Sequence, residues 1–182
     1  MLRKIPLVFA LLVTTLVAVT AMRSGHFVIA RSGHIAAPPA VVYGAIEDFR
    51  RWPTWSPWEG VDPGMKRTYS GPERGIGAKY AWAGTDKVGE GAMTIVEAEA
   101  PEHVGIELVF IKPWAATNRT DFTIRADGAG SQVTWAMRGE HDFVGKLFAL
   151  VLDMERMVGP DFERGLAQLS KALSEKPAAE GP

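Results

Sequence analysis

Between residues 65 and 138 the chain is divided into six short runs in which apolar and polar residues alternate, and beyond them the spacing of apolar residues changes to three and four. Alternation with period two puts every second side chain on one face of a strand, whereas the longer spacing gathers side chains on one side of a helix. Six such runs in succession, parted by glycine-bearing turns, predict a consecutive antiparallel sheet with one apolar face. The runs are 65–70, 78–83, 91–99, 104–110, 117–125 and 132–138. Their apolar sets are Tyr80 and Trp82; Met93 and Ile95; Val104, Ile106, Leu108 and Phe110, with Glu107 opposite; Phe122 and Ile124; and Val133, Trp135 and Met137. Leu147, Leu150, Met154 and Met157, followed by Phe162, Leu166, Leu169 and Leu173, then predict a long C-terminal helix. Pro160 removes one of its hydrogen bonds, so a bend is expected at Gly159-Pro160.

Ahead of the sheet, residues 27–35 read as a strand ended by Ala36-Ala37-Pro38-Pro39. The prolines open a helix over 40–49, where Val42, Ile46 and Phe49 fall at helical spacing, because a first-turn N–H would lack a partner anyway. Pro53 and Pro57 confine Trp52, Trp55 and Trp58 to turns or one short helix. Those tryptophans would either pack the short helices onto the sheet or form an aromatic patch at an entrance or facing a membrane. The order of elements predicts an α+β domain, a curved antiparallel sheet of about seven strands wrapped around a long C-terminal helix, with two short helices after strand 1.

The chain here resembles the START-like helix-grip superfamily, in its polyketide cyclase/dehydrase-like (SRPBCC) branch, over residues 27–173. The resemblance is carried by Ala37-Pro38-Pro39-Ala40-Val41-Val42 and by Asp48-Phe49-Arg50-Arg51-Trp52-Pro53-Thr54-Trp55-Ser56-Pro57-Trp58-Glu59. Supporting pieces are the stretch from Gly89 to Ile95, the strand from Val133 to Gly139, and Asp161-Phe162-Glu163-Arg164-Gly165-Leu166. It implies a cavity between sheet and C-terminal helix that holds a hydrophobic small molecule or lipid, and it carries no universal catalytic signature. The residues placed around that cavity are Tyr80, Trp82, Met93, Ile106, Leu108, Phe110, Phe122, Trp135, Met137 and Met154, with Trp114 at its mouth or capping the sheet end. The competing reading is a filled core, since a domain of this size needs such residues for packing alone.

Residues 5–22 are uncharged and follow Arg3 and Lys4. Eighteen helical residues extend about 27 Å, close to the hydrocarbon thickness of ~30 Å, so this segment is either a membrane anchor or a signal segment cleaved near Val19-Thr20-Ala21. The basic residues favour a cytoplasmic N-terminus and an extracytoplasmic domain, periplasmic where the source is a Gram-negative bacterium, although Arg23 and Arg31 lie on the far side. The expected organisation is an anchor or signal segment over 1–22, the domain over 23–174, and a disordered tail over 175–182 rich in Ala, Pro, Glu and Gly. The 182-residue chain has 20 basic against 21 acidic residues and no basic stripe, which sets nucleic acid aside. With no cysteine, thiolate nucleophiles and cysteine-held metals are excluded.

His26, His34, His103 and His141 show no metal-ligand spacing, so no metal or other cofactor is expected. The glycines at 71, 75 and 77 lie between strands, where no phosphate loop forms, and Ser56, Ser70 and Ser131 lack a nucleophile-elbow setting. Asn118-Arg119-Thr120 reads as a chance glycosylation triplet at a strand start. Glu107, Arg119 and Asp121 would orient or protonate a carbonyl if they entered the cavity, but their alternation points them to the outer, wet face. No catalytic residue is assigned. Three functions remain open: a membrane-tethered binding or transfer module for a hydrophobic small molecule or lipid; an enzyme of the cyclase, aromatase or dehydrase kind; and a structural or regulatory envelope protein with a filled chamber and a protein partner, which an exposed patch at Trp55 and Trp58 would favour.

Overall fold

The computed structural model describes residues 5–175, with side chains from residue 10 onward. Seven strands form one antiparallel sheet: β1 (His26–Ile35), β2 (Lys66–Ser70), β3 (Lys79–Ala83), β4 (Glu90–Glu99), β5 (His103–Lys112), β6 (Ala116–Asp127) and β7 (Gly130–Glu140), in the order β1-β7-β6-β5-β4-β3-β2. Strands two to seven are simply consecutive, as the alternation requires, and β1 closes the other edge by pairing His26 with Glu140 through Ile35 with Ser131. Each strand exceeds or shifts its expected run by a residue or two. The extra residues, such as His103, Ile111, Ala126 and Asp127, are held by the ladder of backbone hydrogen bonds, which does not depend on the side-chain alternation.

Two helical elements cover the apolar face. The first is α2 (Pro39–Ile46), with Pro39 in its opening turn, followed by a 3-10 turn over Phe49–Thr54 that Asp48 caps by accepting from Arg50 N. Trp52 and Trp55 donate their indole N–H groups to the carbonyls of Ile46 and Ala45, satisfying acceptors that the end of α2 leaves free. Both tryptophans are buried, and they pack the turn against Phe122 and Trp135. They take the packing role of the two alternatives: Trp55 is buried and Trp58 half-buried, so no exposed patch forms there, and Trp52 and Trp58 also border the cavity between the sheet and the C-terminal helix.

The second element is α4 (Met154–Ser174), which lays Phe162, Leu166 and Leu169 across β1 and β7. It starts later than the apolar spacing predicts. Asp153 accepts from Glu155 N and Arg156 N and so begins a new helix, while Leu147 belongs to a separate short helix, α3 (Phe143–Phe148), capped by Asp142. Met157 is exposed, off the core face. The helix continues through Gly159-Pro160 as one element, and the missing side chain of Gly159 makes room for the Arg31 guanidinium, which pairs with Glu155 and Glu163 on either side.

An apolar helix, α1 (Ile5–Met22), precedes β1. Among the described residues no helix is long and apolar enough to cross a membrane. The side chains described in α1 begin at Ala10, and thirteen residues extend only about 20 Å. The expected crossing is thus not part of what is seen here. The stretch 176–182 of the expected tail lies outside the described residues.

Candidate functional site

A cavity of about 300 Å3 lies between the sheet and α4, so the chamber is not filled. Tyr80, Trp82, Met93, Leu108, Phe110, Trp135 and Met137 line it from the strands, and Met154, Val158 and Phe162 from α4. Eight of the eleven residues expected around a ligand, Met154 among them, therefore share this wall. Ile106 and Phe122 do not: both are sealed in the core, Phe122 edge-on to Trp52 and Trp55. They occupy the apolar face as expected, although their cross-strand partners Thr120 and Trp135 do border the void. Trp114 sits outside, 77% exposed on the turn between β5 and β6.

Polar groups interrupt the apolar wall: Ser56, Lys87, Asn118, Thr120 and Asp161 border it, and two further places, Glu59 and Trp135, bear on its chemistry. Glu59 is one, a residue the alternation pattern did not single out, with a side chain only 8% exposed. Its Oε1 accepts from the Tyr80 hydroxyl at 2.9 Å, and its Oε2 accepts from Arg67 Nε at 2.5 Å. Arg67 also donates to the backbone oxygens of Glu59 and Met65, so the carboxylate is neutralised within the fold. Burial, then the bond to Glu59, pushes the Tyr80 phenol well above its ordinary value. The second place is Trp135. Its ring stacks on Phe162 with centroids 4.3 Å apart, yet its buried indole N–H has no partner, whereas the Trp82 N–H donates to the Val88 carbonyl at 3.0 Å. A buried donor left unpaired costs about 1–3 kcal/mol.

Glu107, Arg119 and Asp121 lie on the outer face, as the alternation predicts. That face is less wet than expected at Asp121, which is 7% exposed. Arg119 Nε and His103 Nε2 reach Asp121 Oδ1 at 3.0 and 3.1 Å, Arg138 Nη2 comes within 3.1 Å of Oδ2, and Arg119 Nη2 pairs with Glu97. Gly105 permits this, because a Cβ there would strike the Arg119 guanidinium. Glu97, His103 and Asp121 place one donor atom each within 4.8 Å of one another, and so are the metal-capable group among the described residues. Two guanidiniums already neutralise their carboxylates, and a cation would have to displace both.

Asp62 ties down the rim of the cavity. Its Oδ2 accepts from Thr85 N at 2.7 Å and Thr85 Oγ1 at 2.9 Å, and its Oδ1 accepts from Gly64 N, fixing the turn that carries Lys87 and Val88. The backbone bond from Thr85, then its hydroxyl, hold this carboxyl below its ordinary value. A depressed folded value contributes stability that is present above the unfolded value, near 3.9, and is lost as pH falls through the folded one. Urea midpoints measured from pH 7 downward should therefore fall less steeply in Asp62→Asn than in the parent. Parallel curves would show that the Asp62 ties do not contribute to acid stability.

The family model described as polyketide cyclase / dehydrase and lipid transport matches residues 26–174. No curated protein matches. Among solved structures, protein CV1439 from Chromobacterium violaceum is 17% identical, with 82% of this chain and 99% of that chain covered at a TM-score of 0.59. The Aha1 dimer from Colwellia psychrerythraea is 15% identical, with 85% and 99% covered at a TM-score of 0.59. DynU16, from the dynemicin biosynthetic locus, is 14% identical, with 81% and 47% covered at a TM-score of 0.56. These likenesses show a shared fold. With the family match running from the start of β1 to the end of α4, over the sheet, the covering helices and the cavity between them, the chain belongs to the polyketide cyclase / dehydrase and lipid transport family of the SRPBCC superfamily.

Proposed function

We propose that this chain is a membrane-tethered module that binds or transfers a hydrophobic small molecule or lipid in the cavity between sheet and α4. The observation that carries the reading is the cavity itself, a chamber of about 300 Å3 between sheet and α4 whose wall is largely apolar and aromatic. That volume lies at the lower end of ligand sites, and a predominantly apolar wall with a minority of polar side chains suits a hydrophobic ligand. The family's description, which includes lipid transport, supports it. The tether and the extracytoplasmic placement rest on α1: from Ala10 to Val19 it is exposed on every side while remaining apolar, a pattern that water does not stabilise, and Arg3 and Lys4 precede it.

A second reading, a cyclase- or dehydrase-type enzyme, is favoured by the buried Glu59–Tyr80 pair in the wall and by the likeness to a protein of a biosynthetic locus. Both Glu59 carboxylate oxygens are already bonded, and a phenol pushed upward is a poorer acid at neutral pH, so binding is the better reading.

The test is mass spectrometry of organic extracts from the full chain reconstituted in a single synthetic phospholipid, so that any other species comes from the cavity. Saturable uptake of the apolar probe N-phenylnaphthylamine is measured alongside. A species near equimolar with protein, or saturable probe uptake, is expected in the parent, and loss of both in Leu108→Trp, whose added ring fills the chamber. Circular dichroism checks that the variant is folded. No species and no saturable uptake in the folded parent would sink the binding reading.

A further inference from the structure

We propose that the exposed apolar surface formed by Ile111, Trp114, Val144, Phe148, Val151 and Leu152 is a bilayer-docking face that holds the mouth of the cavity against the membrane α1 enters. The proposal rests on the reading of α1 as a membrane segment. All six side chains are exposed, Val151 to 81% and Trp114 to 77%, and α3 buries none of its residues. They come from the end of β5, the turn after it, α3 and the turn that follows: the rings of Trp114 and Phe148 lie 6.3 Å apart, Val144 and Phe148 share a face of α3, and the N–H groups of Val151 and Leu152 turn back onto the Phe148 carbonyl. An exposed apolar surface assembled from a strand end, a helix and two turns, with an aromatic pair in it, is composed as a binding face.

The position of α1 selects the occupant. Only Arg23, Ser24 and Gly25 separate the end of α1 from the start of β1, a reach of about 10 Å when extended. Even that reach is curtailed, because the Gly25 carbonyl accepts from His141 N at the root of α3, and α1 packs against α3. A bilayer that holds α1 must therefore lie beside α3. Arg23, beside this junction, and Lys146, on α3, supply positive charge where anionic headgroups would sit.

The same surface borders the mouth. Phe110, adjacent to Ile111, and Met154, two residues beyond Leu152, line the cavity, and the Gly89 turn next to Val88 touches the carbonyl of Lys112 closely enough to exclude a Cβ. An apolar ligand could then pass between bilayer and cavity without crossing water. Docking also sets the opposite end of the sheet, where Glu99 and Glu102 turn β4 into β5, about 30 Å away in solution.

Because the chain has no cysteine, single-cysteine variants can each carry a nitrobenzoxadiazole label. Leu12→Cys, Val151→Cys and Glu102→Cys of the full chain would be reconstituted in phosphatidylcholine–phosphatidylglycerol vesicles, with and without brominated acyl chains. Expected is loss of most emission in brominated vesicles for the labels at positions 12 and 151, and none at 102. Adding Trp114→Glu and Phe148→Glu should abolish the loss at 151 and leave that at 12. Quenching at 12 with none at 151 overturns the docking face and leaves the tether standing. Quenching at 151 with none at 12 overturns the tether and supports docking. A label at 151 that is neither quenched by lipid nor reached by aqueous iodide identifies a protein interface and overturns the proposal.

Discussion

Phe162→Ala should destabilise the domain by about 3–5 kcal/mol, lowering its melting temperature by on the order of 10 °C. Phe162 is 1% exposed; its ring lies parallel to Trp135 at 4.3 Å and edge-on to Trp58 at 6.2 Å. One turn along α4, Gly165 lets the helix close onto the same indole, since a Cβ there would meet Trp135 Cζ3 at 2.7 Å. Phe162 and Gly165 thus set the distance between helix and sheet, and Leu166 and Leu169 keep the helix from settling inward once the ring is gone. The void would join the cavity already present and remain open, which places the cost in the upper part of the range for such truncations. Urea midpoints with an unchanged slope would measure it. Phe162→Leu, which keeps most of the volume, should lose far less. A Phe162→Ala midpoint within about 1 kcal/mol of the parent would mean that α4 collapses onto the sheet and that the stack does not set the chamber's height.

The sheet was legible because every strand after β2 hides one face, and the hidden set is written at alternate positions, as in Val104, Ile106, Leu108 and Phe110. The same alternation could not separate Ile106 from Leu108. Both point inward, and only the three-dimensional packing leaves Ile106 in the core and Leu108 at the void. The C-terminal helix was overextended for a related reason. Leu147 and Leu150 continue the apolar spacing, but Asp142 and Asp153 are N-caps, and two such residues eleven apart were the available sign of two helices. The glutamate, arginine and tyrosine at 59, 67 and 80 meet only through the fold of β2 against β3 and the turn before it, so no local pattern marks them as a unit. Asp121 faces outward as its position in β6 predicts, yet long neighbouring side chains on β5 and β7 take it out of water, which strand periodicity does not record.

Glu59→Ala is expected to cost about 2–3 kcal/mol at neutral pH, because removing one member of a buried pair strands the other. The figure is reduced from the full cost of a buried charge because the Arg67 side chain is 28% exposed and regains some water. The pair also couples stability to alkali. With its folded value raised, the Tyr80 phenol stays protonated after the unfolded chain has begun to lose that proton near pH 10. Its contribution is complete below that pH and is lost as pH rises toward the folded value, by up to about 1.4 kcal/mol per pH unit. Tyr80→Phe removes the titration altogether. It should lose about 1–2 kcal/mol at pH 7, where Glu59 Oε1 is left without its donor, and then decline less steeply than the parent above pH 10. Glu59→Ala should fall between the two, since burial, the larger cause of the shift, persists after the carboxylate is gone. Urea midpoints of the three chains from pH 7 to 11 would resolve these slopes. Parallel curves for the parent and Tyr80→Phe would show that the hydroxyl reaches water in the folded state, and that the polar end of the cavity is open where the structure has it closed.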